Sequence, residues 1–120
     1  MAKTILIVDD SAFMRLNIRD ILTKAGYEVV GEAETAEEAL AKYAQLKPDL
    51  VTMDIVMAGD GGIQGVKALV AAHPEARILM VSAMGQQALM AEAIQAGAKG
   101  FVIKPFRAEQ VATEVKRIIG

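Results

Sequence analysis

The sequence contains no cysteine. Disulfides, thiolate nucleophiles and cysteine-type zinc sites are thereby excluded. Aromatic residues are scarce, at 4% against 53% hydrophobic residues overall, so the core has to be aliphatic, built from Ile, Leu, Val, Ala and Met. There is no run of basic residues, and the net charge is −2. That balance gives no general attraction to nucleic acid or to an anionic membrane surface. No apolar run approaches the roughly 20 residues that a membrane-spanning helix needs. The chain goes from Lys3 straight into a strand-like run, without the pattern of a signal peptide. A cytoplasmic protein, with neither nucleic acid nor membrane as partner, is expected. A G-x-x-x-x-G-K-[ST] loop is also missing, which argues against ATP as a ligand. The single histidine, His73, stands before Pro74, far in topology from the acids discussed below, and a surface position is expected for it.

What the sequence does have is alternation. Its 120 residues suit one domain over 1–120. Apolar runs of about five residues alternate with longer stretches at helical period, which argues for a parallel sheet covered by helices on both faces. Strands are expected at 4–8, 27–33, 50–54, 77–81 and 99–103. The first helix is expected at 12–25, with Phe13, Met14, Ile18, Ile21, Leu22 and Ala25 on its inner stripe and Gly26 just past its end. Thr35 and Glu38 fit a capping box for the second helix, and Pro48 follows it as a stop. The remaining helices are expected at 63–72, 86–96 and 107–119. Right-handed crossovers leave few arrangements of five such units. The best of them is an α/β, flavodoxin-like doubly wound sheet of strand order 2-1-3-4-5.

In that order the first and third strands are neighbours, and the carboxyl ends of all the strands share one rim. Leu50-Val51-Thr52-Met53 ends in Asp54, and Ile5-Leu6-Ile7-Val8 ends in Asp9-Asp10. The fourth strand ends in Ser82 and the fifth in Lys104-Pro105. Asp9, Asp10 and Asp54 would therefore meet in one crevice. At ~4 Å and an effective dielectric of about 20, each carboxylate pair costs about 4 kcal/mol before screening. Such a cluster persists when it holds a cation or carries out chemistry. Oxygen-only ligands with spare water positions suit Mg²⁺. Asp54 is then a candidate phosphoryl acceptor. Lys104 offers a cation to Asp54 or to a phosphoryl oxygen, and Ser82 offers a hydroxyl. The bland alternatives are a turn or cap for a single Asp, a solvated surface position for Lys104, and a helix cap for Ser82. An X-Pro bond at Lys104-Pro105 suits a tight, fixed turn of the kind that adopts the cis form.

With these residues in view, the chain resembles the receiver domain of two-component response regulators, and is most similar to its CheY-type single-domain members. The resemblance covers essentially the whole chain. It rests on Val8-Asp9-Asp10, Met53-Asp54, Ser82-Ala83, Ala98-Lys99-Gly100-Phe101 and Lys104-Pro105-Phe106. It implies that Asp54 takes a phosphoryl group from a phosphohistidine of a histidine kinase. It further implies that Asp10 binds Mg²⁺ directly, Asp9 mainly through water, and Val56 through its backbone carbonyl. Lys104 and Ser82 would contact the phosphoryl oxygens, and Phe101 would be the switch aromatic that turns inward. The output face would be the fourth helix, fifth strand and fifth helix. A phosphatase, and an output target such as the flagellar switch in chemotaxis, are the further partners implied, with a monomer as the resting state. Val56 and Met84 occupy the two positions that flank the approach of water to the phosphoryl group in this family. The protein would then be a signalling phosphoacceptor rather than an enzyme with a separate substrate.

The sequence departs from the family pattern after Asp54. Ala58 stands where proline is common, and Asp60-Gly61 where a large apolar residue and Asp or Asn are usual, whereas Gly62 fits. Gly59, Gly61 and Gly62 lead to the expectation of a mobile 58–62 loop. Three other readings remain open at this point. One is an aspartyl-intermediate phosphatase with a Mg²⁺ site, which would want a second Asp at position 56. Another is an FMN binder, for which Asp9-Asp10 would repel the phosphate. The last is an engineered or excised receiver scaffold without a live signalling partner.

Overall fold

The computed structural model describes residues 2–57 and 61–120. The expectations that rest on Ala58, Gly59 and Asp60 lie outside the described residues. Strands and helices alternate along the chain: β1 (Thr4–Val8), α1 (Ala12–Lys24), β2 (Glu28–Ala33), α2 (Ala36–Leu46), β3 (Leu50–Asp54), α3 (Gly61–Ala72), β4 (Ile78–Ala83), α4 (Gln87–Ala96), β5 (Gly100–Lys104) and α5 (Ala108–Ile119). All five strands are parallel, in the order β2-β1-β3-β4-β5. No helix among the described residues is long and apolar enough to cross a membrane.

The apolar runs are strands because both of their faces are covered. Successive side chains point to opposite sides of the sheet. Leu6, Val8, Val51, Met53, Ile78 and Met80 therefore pack in one core with residues of α2, α3 and α4. Ile5, Ile7, Leu50, Leu79 and Val81 pack in the other, with residues of α1 and α5. Each fully buried Ile or Leu stabilises the fold by about 1.5–3 kcal/mol. β5 lies at the sheet edge, and its pattern alternates: Val102 is buried while Phe101 and Ile103 face outward.

Helix ends follow their capping chemistry. Ser11 caps α1, its hydroxyl accepting from Met14 N at 3.2 Å. Thr35 caps α2 by accepting from Glu38 N at 3.1 Å. The return half of the expected capping box is displaced by one residue, since Glu38 accepts from Glu34 N. α3 starts two residues earlier than expected. The low helix propensity of glycine hid Gly61 and Gly62 from the sequence reading, but Gly62 N donates to Ile55 O at 3.1 Å and anchors the helix start there. The inner stripe of α1 needs a correction. Ile18 and Leu22 are buried and Met14 and Ile21 are partly so, but Phe13 is 77% exposed and Ala25 is exposed as the C-cap. The peptide bond Lys104-Pro105 is cis.

Candidate functional site

The sheet register assembles the rim. Val8 lies opposite Met53, Asp54 opposite Val81, and Ala83 opposite Lys104. Asp9 thus emerges beside Asp54, and Ser82 and Lys104 emerge on its other side. Carboxylate oxygens of Asp9, Asp10 and Asp54 lie within 4.8 Å of one another. Asp9 and Asp54 are buried and Asp10 is exposed, so the cluster opens to solvent on one side.

Asp54 is held from two directions. Its Oδ1 accepts from Val56 N at 3.2 Å, and its Oδ2 faces Lys104 Nζ at 3.4 Å. Behind it the backbone is crowded. A Cβ on Gly62 would come within 2.7 Å of Ile55 Cα and would collide with the Asp54 carbonyl oxygen. Only glycine at 62 lets the start of α3 pass so close to the acid.

Asp9 carries the electrostatic load of the crevice. Its Oδ1 accepts from Ser11 N at 2.8 Å. Its Oδ2 is buried and has no hydrogen-bond partner among the described residues. Burial pushes the Asp9 carboxyl above its ordinary value; the Ser11 N–H opposes this and the neighbouring Asp54 charge adds to it. An unpartnered buried carboxylate oxygen is costly. A hard divalent cation takes such oxygens as ligands, and Mg²⁺ keeps waters on its open side. The donor set, all oxygen, buried on one side and open on the other, fits that ion.

Of the other site residues named from the sequence, Ser82 is wholly buried, but its hydroxyl is not turned to Asp54. It donates to Gln86 Oε1 at 2.9 Å, with Ala83 O at 3.1 Å as the alternative acceptor. Ser82 is part of β4 and does not cap α4, whose N-cap is Gln86. Phe101 points outward, 40% exposed. Val56 and Met84 are both exposed. His73 is half-buried, its ring 4.7 Å from that of Tyr43, and it ends α3 at the far side from the acids, about 18 Å of helix away.

The sequence reading missed two residues that support the rim. Arg15 donates from Nη1 to Asp9 O at 2.7 Å while Nε bonds Glu32 at 2.9 Å. Glu32 also binds Arg19 at 2.7 Å. Burial tends to raise the Glu32 carboxyl, and the Arg19 and Arg15 hydrogen bonds outweigh it and hold the group below its ordinary value. Gln86 is the second. Nothing in the sequence marked either one, beyond the spacing of four between Ser82 and Gln86.

Residues 5–116 match the response regulator receiver domain family. The chain belongs to that family. It is 52% identical over 118 residues to the chemotaxis protein CheY of Thermotoga maritima, covering 98% of each chain. It is also 52% identical over 119 residues to CheY of Bacillus subtilis, covering 99% of each. Among solved structures, the receiver domain here superposes with a TM-score of 0.93 and 32% identity on a chain of the CheX-CheY-BeF3-Mg complex of Borrelia burgdorferi, covering 98% of this chain and 90% of that one. The receiver domain of NtrX from Brucella abortus gives a TM-score of 0.91 at 32% identity, with 96% and 97% covered. The α/β, flavodoxin-like fold with order 2-1-3-4-5 and the assignment to two-component signalling stand as the sequence reading had them.

Proposed function

We propose that residues 1–120 act as one receiver domain in which Asp54 accepts a phosphoryl group from a phosphohistidine of a histidine kinase. The observation that carries the reading is a buried Asp9 oxygen with no partner among the described residues, next to an Asp54 that faces Lys104 at 3.4 Å. A carboxylate nucleophile, a cation beside it and a vacant ligand oxygen are what an aspartyl phosphorylation needs. In the step, Asp54 Oδ attacks phosphorus while the P–N bond of the phosphohistidine breaks, its electron pair leaving with the imidazole nitrogen. The Lys104 ammonium neutralises charge on a phosphoryl oxygen, and the Ser82 hydroxyl donates to another. Asp9, Asp10, Asp54 and the Val56 carbonyl would hold Mg²⁺, which when bound neutralises charge on the phosphoryl oxygens. The domain assists its own phosphorylation and dephosphorylation and turns over no separate substrate.

The output is read on the face of α4, β5 and α5. In support, Phe101 and Ile103 stand exposed there beside Met84. A cavity of about 650 Å³ lies between β5 and α5, lined by Met84, Phe101, Ile103, Lys104, Glu109 and Gln110. Turning Phe101 inward would reshape it. The relatives are chemotaxis proteins, and the Borrelia CheY is described in complex with CheX, BeF3 and Mg. A cytoplasmic, monomeric regulator of motility, with a phosphatase and a flagellar-switch-type target among its partners, follows by that likeness. The test is backbone amide NMR during titration with beryllofluoride and Mg²⁺. Shifts are expected around Asp54 and along β5 and the facing turns of α4 and α5. Shifts confined to the acid crevice would refute an output at that face, and their complete absence would refute the phosphoryl site.

A further inference from the structure

The end of β4 offers two converging hydrogen-bond donors, and one side chain occupies both. Ser82 Oγ donates to Gln86 Oε1 at 2.9 Å, and Ala83 N donates to the same oxygen at 2.7 Å. The Ser82 hydroxyl has one proton to give and is completely buried. Its other contact, Ala83 O, also requires that proton. Two convergent donors on a single oxygen form an oxyanion-type pocket, and here a carboxamide oxygen fills it. Gln86 is half-buried and is the N-cap of α4. It makes no side-chain cap bond to the helix, because its amide oxygen is committed to Ser82 and Ala83. Gly85, at φ +89°, supplies the left-handed turn that brings Gln86 back over the strand end.

We infer that Gln86 is a positioning residue that latches the resting state. Its amide oxygen stands in the place of a phosphoryl oxygen and holds the Ser82 hydroxyl away from Asp54. An anion arriving on Asp54 has to displace it. Displacement frees the residue that begins α4, so occupancy at Asp54 and the start of the output face are coupled through one side chain. This rests on the proposed phosphoryl acceptance at Asp54 and adds the group that competes with it.

The experiment measures the affinity of the full chain for beryllofluoride in saturating Mg²⁺, by calorimetry, for the parent, Gln86→Ala, Gln86→Glu, Ser82→Ala and Ser82→Ala/Gln86→Ala. Mg²⁺ affinity and melting temperature are measured alongside. Releasing one neutral hydrogen-bonded competitor should tighten beryllofluoride binding about two- to tenfold in Gln86→Ala. Gln86→Glu keeps an acceptor and adds charge, so it should bind as the parent does or more weakly. Relative to Ser82→Ala alone, the gain from Gln86→Ala should shrink. Mg²⁺ affinity should stay within about twofold throughout, which a general loosening of the fold would not give. Unchanged or weaker beryllofluoride binding by Gln86→Ala, with binding by the parent intact, overturns the latch alone. No binding by the parent overturns the phosphoryl site and the latch with it.

Discussion

Lys104 Nζ stands 3.4 Å from Asp54 Oδ2, bringing together the ends of two strands that are separated in the sheet by β4. The ammonium is partly exposed and the carboxylate largely buried. The ammonium offsets part of the repulsion in the acid cluster and puts positive charge where a phosphoryl oxygen would develop negative charge. Lys104→Ala should therefore slow phosphorylation of Asp54 by a small-molecule donor by roughly 10²-fold or more, and should lower the melting temperature in metal-free buffer. Equal rates in the two proteins would exclude the lysine from the reaction.

Metal should stabilise the fold. Asp9 has a buried oxygen without a partner among the described residues, and Asp10 and Asp54 crowd it. Ligand at 100 times its dissociation constant adds about 2.7 kcal/mol. Differential scanning calorimetry should show a rise in melting temperature with Mg²⁺. In metal-free buffer, Asp10→Asn and Asp9→Asn should each melt higher than the parent, because each removes a repelling charge. Both should respond less to Mg²⁺. A parent indifferent to Mg²⁺, together with variants no more stable than it, would mean that the three carboxylates do not form a common site.

Gly62 cannot carry a side chain without moving the acid. The Cβ of an alanine there would press on Ile55 Cα and on the carbonyl of Asp54. Gly62→Ala should cost about 1–3 kcal/mol in a denaturant titration, despite alanine's better helix propensity. It should also slow Asp54 phosphorylation. A variant as stable as the parent would show that the start of α3 yields freely.

Phospho-Asp54 should persist for longer than is usual in a receiver. Val56, whose amide binds the acid, and Met84 are apolar and exposed. Neither side chain can hydrogen-bond an in-line water, and placing the nucleophile is a large part of phosphoryl-transfer catalysis. Val56→Asn and Met84→Glu should speed first-order loss of the phosphoryl group. If neither alters the decay, or both slow it, these positions do not govern the water.

The rim of the sheet was legible in the sequence for a physical reason. A parallel strand buried on both faces carries no charge along its length, so the first carboxylate after β1 and at the end of β3 marks the rim, and Asp9 and Asp54 could be read off in this way although Thr52 is buried within β3. Ser82 and Lys104 followed as the ends of the next two apolar runs. Element ends were blurred wherever glycine or capping decided them, as at Gly61–Gly62 and Gln86. Phe13 was misplaced by an apolar count that ignored angle. At 100° per residue it lies about 180° from Leu22 on the helix wheel, and the structure leaves it in solvent. Arg15 and Gln86 were invisible because their partners, Asp9 O, Ala83 N and the Ser82 hydroxyl, become neighbours only once the β1–α1 and β4–α4 turns have formed.

Phosphoryl transfer to Asp54 at this rim is open to a direct measurement. The direct measurement is intact-mass and peptide mass spectrometry after incubation with acetyl phosphate and Mg²⁺. On the proposed reading Asp54 would be the nucleophile, Lys104 the cation and the Asp9–Asp10 cluster the ligand oxygens, so the reaction should need no kinase. The mass should rise by one phosphoryl group, mapped to the peptide containing Asp54, and the gain should vanish in Asp54→Asn or on chelation of Mg²⁺. Phosphate found on Ser82 or His73, or a parent that gains no mass, would contradict the account.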